Sequence, residues 1–345
     1  MRQALMHAWN GQGGWGQALA FALWPVSWLF AGLVAVRRAL YQHGFYKTHT
    51  LPVPVIVVGN VMVGGVGKTP ITIALVQHLN AQGWRVGVLS RGYGRRTTGQ
   101  QAVTPNSLAH DVGDEPLLIA RSCQVPVFVG ASRVNAGRAL LAQHPDVQVL
   151  VCDDGLQHWQ LGRDLELCVF DERGVGNGHL LPAGPLREAW PRTAFNKDVP
   201  CLVLKTSGAT GPHEFAVQRS LADFAVQADG TQRPLSSWRH TPVQALAGIA
   251  KPDAFFAMLR AKGLTLGHTQ ALPDHADLHA LRIDASLGDV LCTEKDAVKL
   301  WVNNPLAWAV PLQTNLPAEL LSTIGQRLAA AQHAKLSSPH GHQTA

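Results

Sequence analysis

Five cysteines in 345 residues, widely spaced and without a C-x-x-C pair, give this chain neither a zinc ligand set nor a disulfide framework. A reducing cytoplasm fits that usage. No N-K-x-D stretch is present to read a guanine base, and no internal repeat divides the chain. Acidic residues are the scarcer charge, 23 against 29 Lys and Arg, for a formal net charge of +6. That balance points to an anionic partner, which charge alone leaves open between nucleic acid, a phospholipid surface and a phosphorylated substrate. Charge is missing altogether from Ala18 to Val36, a stretch of mostly Ala, Leu, Phe, Trp and Val that ends at Arg37 and Arg38. It reaches the roughly twenty residues a membrane span needs, yet Pro25 and Ser27 interrupt it, and Trp24 and Trp28 favour an interface. It reads as a membrane-contacting helix, spanning or surface-lying, and not as a cleaved signal, since no clear basic leader or small-residue cleavage site accompanies it. Basic residues after it would keep the bulk of the chain cytoplasmic.

The most informative text lies between Val53 and Leu79: an apolar strand VPVIVVGN, a turn GGVGKT, then a helical run ITIALVQHL. This is the layout of a phosphate-binding loop, in which glycines let backbone N–H groups converge on phosphate oxygens at the positive end of a helix. Gly64, Gly65, Val66, Gly67, Lys68, Thr69 and Pro70 are the nucleotide-binding candidates. Lys68 would reach the β- and γ-phosphates and Thr69 would hold Mg²⁺. Pro70 suits a first helical turn. Met62 stands where the strict consensus has glycine, so the match is to the GGxGKT variant.

Short β-rich runs follow, WRVGVLS, PVFVG, VQVLVCDD and LELCVFD, alternating with helical stretches. The expected fold is α/β: a P-loop NTPase-like parallel sheet with helices on both faces, a smaller C-terminal α/β lobe and the N-terminal apolar helix. The expected divisions are 1–45 for the membrane-associating helix, 46–198 for the P-loop core, 199–329 for the smaller lobe and 330–345 for a flexible tail. Hairpin-like text is expected around His213 to Gln227, and a helix from Asp253 to Lys262.

Several polar clusters could do chemistry. Asp153 and Asp154 close an apolar strand, where an acid binds or orients Mg²⁺; one of them could equally cap the next turn. In GDEP, Asp114 is either a helix N-cap or a general base for an attacking hydroxyl. Arg91 and Arg95 of SRGYGRR could grip a phosphate or sit on a solvated turn, and Asn60 and Arg187 are further candidates for substrate contact. Glu188, beside Arg187 in LLPAGPLRE, suits a charge clamp or a metal contact. His275 in LPDHADL is, by itself, more often structural than catalytic. TEKDAVK follows a strand-like DVLC without an assigned role.

GNVMVGGVGKTP, SRGYGRR, GDEP, DDGLQH, LLPAGPLRE, LPDH and TEKDAVK occur in the order found in the tetraacyldisaccharide 4'-kinases of lipid A biosynthesis, and the resemblance runs to about Trp301. It implies ATP- and Mg²⁺-dependent phosphorylation of the 4'-hydroxyl of a tetraacylated glucosamine disaccharide 1-phosphate, giving lipid IVA at the cytoplasmic face of the inner membrane. It further implies that Asp114 and His275 form the dyad activating the acceptor, that Lys68 and Thr69 manage phosphates and metal, and that Asp153, Asp154, Gln157, Arg187 and Glu188 line the site. Leu156 replaces the family's usual aromatic in DDGFQH. The expected partners are the acylated lipid and the membrane surface, with no nucleic acid and no obligate protein partner. A different class with GGVGKT, the membrane-associated switch ATPases of cell division and partition, carries a lysine where this chain has Val63, which counts against it. The arginines sit in glycine loops without an aromatic stacking pattern, which disfavours nucleic acid.

Overall fold

The computed structural model describes residues 9, 14–192, 199–208, 210–278 and 281–337. The run VIVVG forms β1 (Val55–Gly59), buried at every position, as an unbroken apolar strand is when both faces of its sheet are covered. Its side chains alternate between two cores, Ile56 and Val58 on one side and Val55 and Val57 on the other. β5 (Val149–Asp153) and β6 (Leu165–Phe170) divide the same way, because successive strand residues point to opposite faces.

The first sheet has eight strands in the order β3 (Gln101–Val103), β4 (Val127–Val129), β2 (Val86–Ser90), β5, β1, β6, β7 (Cys201–Lys205) and β8 (Glu214–Ala216). All neighbours are parallel except β3, which runs antiparallel to β4. One face is covered by the helices Lys68–Ala81, Asp114–Cys123 and Ala318–Leu336, through Leu75, Ile119 and Leu320 among others. Val134 and Leu140 of the helix Arg133–Gln143 cover the opposite face.

The second sheet has six strands in the order β11 (Gln232–Pro234), β10 (Phe224–Val226), β15 (Trp308–Val310), β14 (Val290–Thr293), β12 (Val243–Ala247) and β13 (Leu266–Ala271). Its inner strands are parallel. Trp238, Phe255 and Phe256 fill the core on one side. The chain leaves the first sheet through β9 (Gln218–Leu221) and returns through β16 (Leu312–Asn315), and these two pair antiparallel.

Three expectations change. The first sheet does not stop at residue 198: β7 pairs with β6 and β8 with β7, and the helix Ala318–Leu336 returns to the first core. The text from His213 to Gln227 makes no hairpin, because β8 joins the first sheet, β9 pairs with β16, and β10 joins the second sheet. The last helix runs on to Leu336, so the expected tail does not begin at 330; residues 338–345 lie outside the described residues.

Near the N-terminus a 29-residue helix, Gly14–Gln42, continues through Pro25. It is the one described helix long and apolar enough to cross a membrane. Shielded positions recur along it at 16, 19, 20, 23, 27, 30, 31 and 34, a single helical stripe, and 38–41 are all shielded at its C-terminal end. Phe21, Trp28, Leu29 and Leu33 are exposed on its other sides. Ser27 Oγ donates to Leu180 O at 2.7 Å and Trp24 Nε1 to His179 Nδ1 at 3.3 Å, which fasten the middle of the helix to the globular body.

Candidate active site

The parallel strands of both sheets bring their carboxyl ends to one cleft, the place where open α/β sheets bind ligands. Lys68 follows β1, Tyr93 follows β2, Asp154 follows β5 and Arg173 follows β6. From the second sheet, Lys251 follows β12, His275 follows β13 and Lys295 follows β14.

The turn after β1 adopts left-handed backbone at Gly64 (φ 101°) and Gly67 (φ 84°), which glycine tolerates without steric cost. Gly67 is the N-cap of the helix Lys68–Ala81 and offers no side chain to it. The first N–H groups of that helix are therefore free for an anion, with the helix dipole behind them. Contrast the helix Arg133–Gln143, whose first turn is closed by Ser132 Oγ accepting from Asn135 N. Lys68 Nζ lies 3.5 Å from Asp154 Oδ1 and 3.4 Å from Asn60 Oδ1. Arg187 Nη1 is 3.4 Å from the same Asp154 oxygen. Burial pushes the Asp154 carboxyl up, but Lys68, Arg187 and Arg133 more than offset it and hold the group below its ordinary value. Gln157 Nε2 donates to Asn60 O at 2.9 Å and to Glu188 Oε1 at 2.7 Å, tying the DDGLQH and LRE segments to the loop. Leu156 packs over Gly59, where an added Cβ would stand 2.6 Å from the Leu156 Cγ.

Asp153 is buried one residue before. Thr72 Oγ1 donates to its Oδ1 at 2.8 Å, while its Oδ2 is buried with no partner among the described residues. Burial first, then the charges of Glu115 and Asp154, push this carboxyl up to about 7. A carboxylate so placed is suited to a cation. Thr69 is buried in the first turn of the same helix.

The second cluster is assembled from distant sequence. Asp114 is the first residue of the helix Asp114–Cys123, after Gly113 as N-cap. His275, with left-handed backbone at φ 62°, places Nδ1 at 3.1 and 3.2 Å from the two Asp114 oxygens. Lys299 Nζ is 3.5 Å from Asp114 Oδ2 and donates to Ala276 O at 2.9 Å. Lys295 Nζ reaches Asp274 Oδ1 at 3.0 Å, Glu115 Oε1 at 3.2 Å and His275 Nε2 at 3.4 Å. Burial opposes ionisation of Asp114, but the hydrogen bond from His275 and the charges of Lys295, His275 and Lys299 bring it down to about 2. The hydrogen bond to Asp114 raises His275, against burial and Lys295. Glu115 connects the clusters: it acts on Asp153 on one side and pairs with Lys295 on the other.

The expected site residues thus fall into two groups that share a cleft. Lys68, Asn60, Asp154, Gln157, Arg187 and Glu188 form one network; Asp114 and His275 form the other. Several expected roles meet contrary surroundings. Glu188 is buried between Gln157 and Arg192, with Arg192 Nε at 3.2 Å, so its charge is already compensated. Asn60 is fully buried and braces Lys68 through Oδ1 and Gln157 through its carbonyl, while its Nδ2 is buried with no partner among the described residues. Arg95 donates to Gly99 O within its own loop, while Arg91 is exposed. Among the described residues no three His, Cys, Asp or Glu side chains converge as a metal cluster. Mg²⁺ needs none, since it commonly takes one or two carboxylates and completes its shell with phosphates and water. Lys295 and Lys299 are the residues that reading the sequence missed. Their spacing of four on the helix Glu294–Leu300 marks one helical face, which was the available signal.

Comparison with known proteins agrees with this architecture. The family described as Tetraacyldisaccharide-1-P 4'-kinase matches residues 19–329. This chain belongs to that family. The tetraacyldisaccharide 4'-kinase of Acidovorax sp. (strain JS42) is 53% identical over 334 residues, 96% of each chain. That of Polaromonas naphthalenivorans is 51% identical over the full length of both. LpxK of Aquifex aeolicus, solved in complex with ATP, superposes with a TM-score of 0.77 at 29% identity, covering 90% of this chain and 99% of that one.

Proposed function

We propose that this chain is an ATP-dependent lipid kinase that transfers the γ-phosphoryl group to the 4'-hydroxyl of a tetraacyldisaccharide 1-phosphate, and that it does so at the cytoplasmic face of the inner membrane. The observation that carries the reading is the meeting of two clusters at one cleft: an open phosphate loop with Lys68, and an ionised Asp114 held by His275.

The loop amides and Lys68 bind the phosphate chain, and Arg187 adds charge beside Asp154. Thr69 and Asp153 fit Mg²⁺: the unpartnered, buried Asp153 Oδ2 is an acceptor waiting for a cation. Bound there, Mg²⁺ supplies neutralisation of phosphate charge. The acceptor hydroxyl gives its proton to the Asp114–His275 pair. Asp114 alone, at about 2, is a weak proton acceptor; His275, whose ordinary value is already near neutrality and is raised here, is the more basic member. The competent form carries neutral His275, so turnover rises as pH climbs through its raised value.

The lipid requires a membrane. Four acyl chains of about a dozen carbons each would cost tens of kcal/mol to lift into water, at about 0.8 kcal/mol per CH₂. The continuous shielded stripe on the helix Gly14–Gln42, and its attachment at Ser27, support a helix lying in the interfacial plane, because a spanning helix could not keep its middle on the globular body. The test is incubation of the protein with labelled ATP, Mg²⁺ and a detergent-dispersed tetraacyldisaccharide 1-phosphate. A product carrying one more phosphate is expected. ATP hydrolysis without lipid phosphorylation, joined to ATP-driven dimerisation, would favour a switch ATPase.

A further inference from the structure

Two guanidinium groups lie against the phosphate loop, and only one is neutralised. Arg173 donates to Gly65 O at 3.1 Å and is paired with Asp171 at 2.9 Å. Lys251 reaches the same Asp171 oxygen, Oδ2, at 2.8 Å and also pairs with Glu172. The second guanidinium belongs to Arg219 on β9. An added Cβ on Gly67 would stand 2.5 Å from its Nη1, so it presses on the last glycine before Lys68.

Arg219 shares its strand face with the buried Leu221, an inward register position where an apolar residue is the rule. Among the described residues its guanidinium makes no hydrogen bond and no close ion pair. Asp171 and Glu172 favour its charge from a distance, against burial, but both are engaged by Arg173 and Lys251. Three cations thus face two carboxylates around a loop whose amides are themselves a positive pole. A half-buried, uncompensated cation directed at a positive pole is unfavourable unless an anion sits between them.

Resting on the kinase reading above, we propose that Arg219 is a nucleotide ligand, a guanidinium supplied from the same chain that grips the terminal phosphates across the loop from Lys68. The planar donor fork suits phosphate oxygens in a way an ammonium group does not. Arg219 lies on the strand pair joining the two sheets, so a nucleotide held by it would also engage the connecting segment.

The test uses the full chain. Binding of a non-hydrolysable ATP analogue with Mg²⁺ is measured by calorimetry for the parent protein, Arg219→Gln, Arg219→Lys and Lys68→Ala, beside thermal unfolding without nucleotide. Arg219→Gln is expected to weaken analogue binding about ten- to hundredfold, with the nucleotide-free unfolding temperature unchanged or higher because an uncompensated charge is gone. Arg219→Lys should recover part of the affinity. Binding within twofold of the parent by Arg219→Gln, while Lys68→Ala loses it, overturns the assignment and leaves the kinase reading standing. A lower unfolding temperature with unchanged affinity gives Arg219 a structural role and overturns it too. A parent protein that does not bind the analogue overturns the kinase reading itself.

Discussion

Asp114 and Asp153 are both buried carboxylates at the cleft, and their surroundings drive them in opposite directions. Asp114 stands among His275, Lys295 and Lys299 and is pulled down to about 2. Asp153 is pushed up to about 7 by burial and by the charges of Glu115 and Asp154, which outweigh its one hydroxyl donor, Thr72, and the charge of Lys68. Burial is the same in kind for both, so the difference comes from which charges the fold collects around each. The first is preformed as an anion, ready to orient an imidazole. The second is strained as an anion until a cation arrives.

The contrast fixes opposite pH signs. A carboxyl whose folded value is depressed stabilises the fold above its ordinary value near 4, and that contribution fades as pH falls toward 2. A carboxyl whose folded value is raised stabilises the fold below about 4, and its contribution is lost as pH rises through 7. Above that pH the nucleotide-free protein therefore carries an unfavourable charge at Asp153, which Mg²⁺ and nucleotide would relieve.

The largest effect is expected from Lys68→Ala, which removes the phosphate ligand and the main cation beside Asp154. Turnover should fall about a thousandfold or more, and calorimetry should show nucleotide binding lost with it. Asp153→Asn keeps the oxygen that accepts from Thr72 and discards the charge. Its turnover should fall about a hundredfold, while its nucleotide-free unfolding temperature at pH 8 should not drop. A marked loss of stability there would break the contrast. Lys295→Met should act more gently: Lys295 lowers His275, so its removal should move the acid limb of the kcat/KM profile upward. A downward shift would contradict the arrangement. Least affected should be Trp28→Glu on the exposed side of the N-terminal helix. Turnover in detergent should stay near that of the parent, while vesicle sedimentation should show about tenfold weaker membrane partition.

The two halves of the site differed in how legible they were. Strand, glycine turn, Lys68 and helix are contiguous, so the phosphate loop could be read from local pattern, and Asp153 and Asp154 from their place at a strand end. The parallel sheet was equally plain, since β1, β5 and β6 are apolar without alternation. Asp114 and His275 are 161 residues apart; nothing local joins them, and only resemblance paired them. Lys295 and Lys299 stood in a noticed motif but gained meaning only when β13 and β14 brought their ends to the first sheet. β8, β9 and β10 have three or four mixed residues each, too short for a period to show, and that is why a hairpin was expected and Arg219 was passed over.

The central claim is a division of labour across the cleft, with the loop holding nucleotide and the Asp114–His275 pair accepting the hydroxyl proton. Asp114→Ala tests it most directly, by measuring labelled phosphate transfer to the lipid and equilibrium binding of the ATP analogue on the same preparation. Transfer reduced a hundredfold to ten-thousandfold with binding held within about twofold is the predicted result. Unchanged transfer, or binding lost in step with transfer, would contradict it.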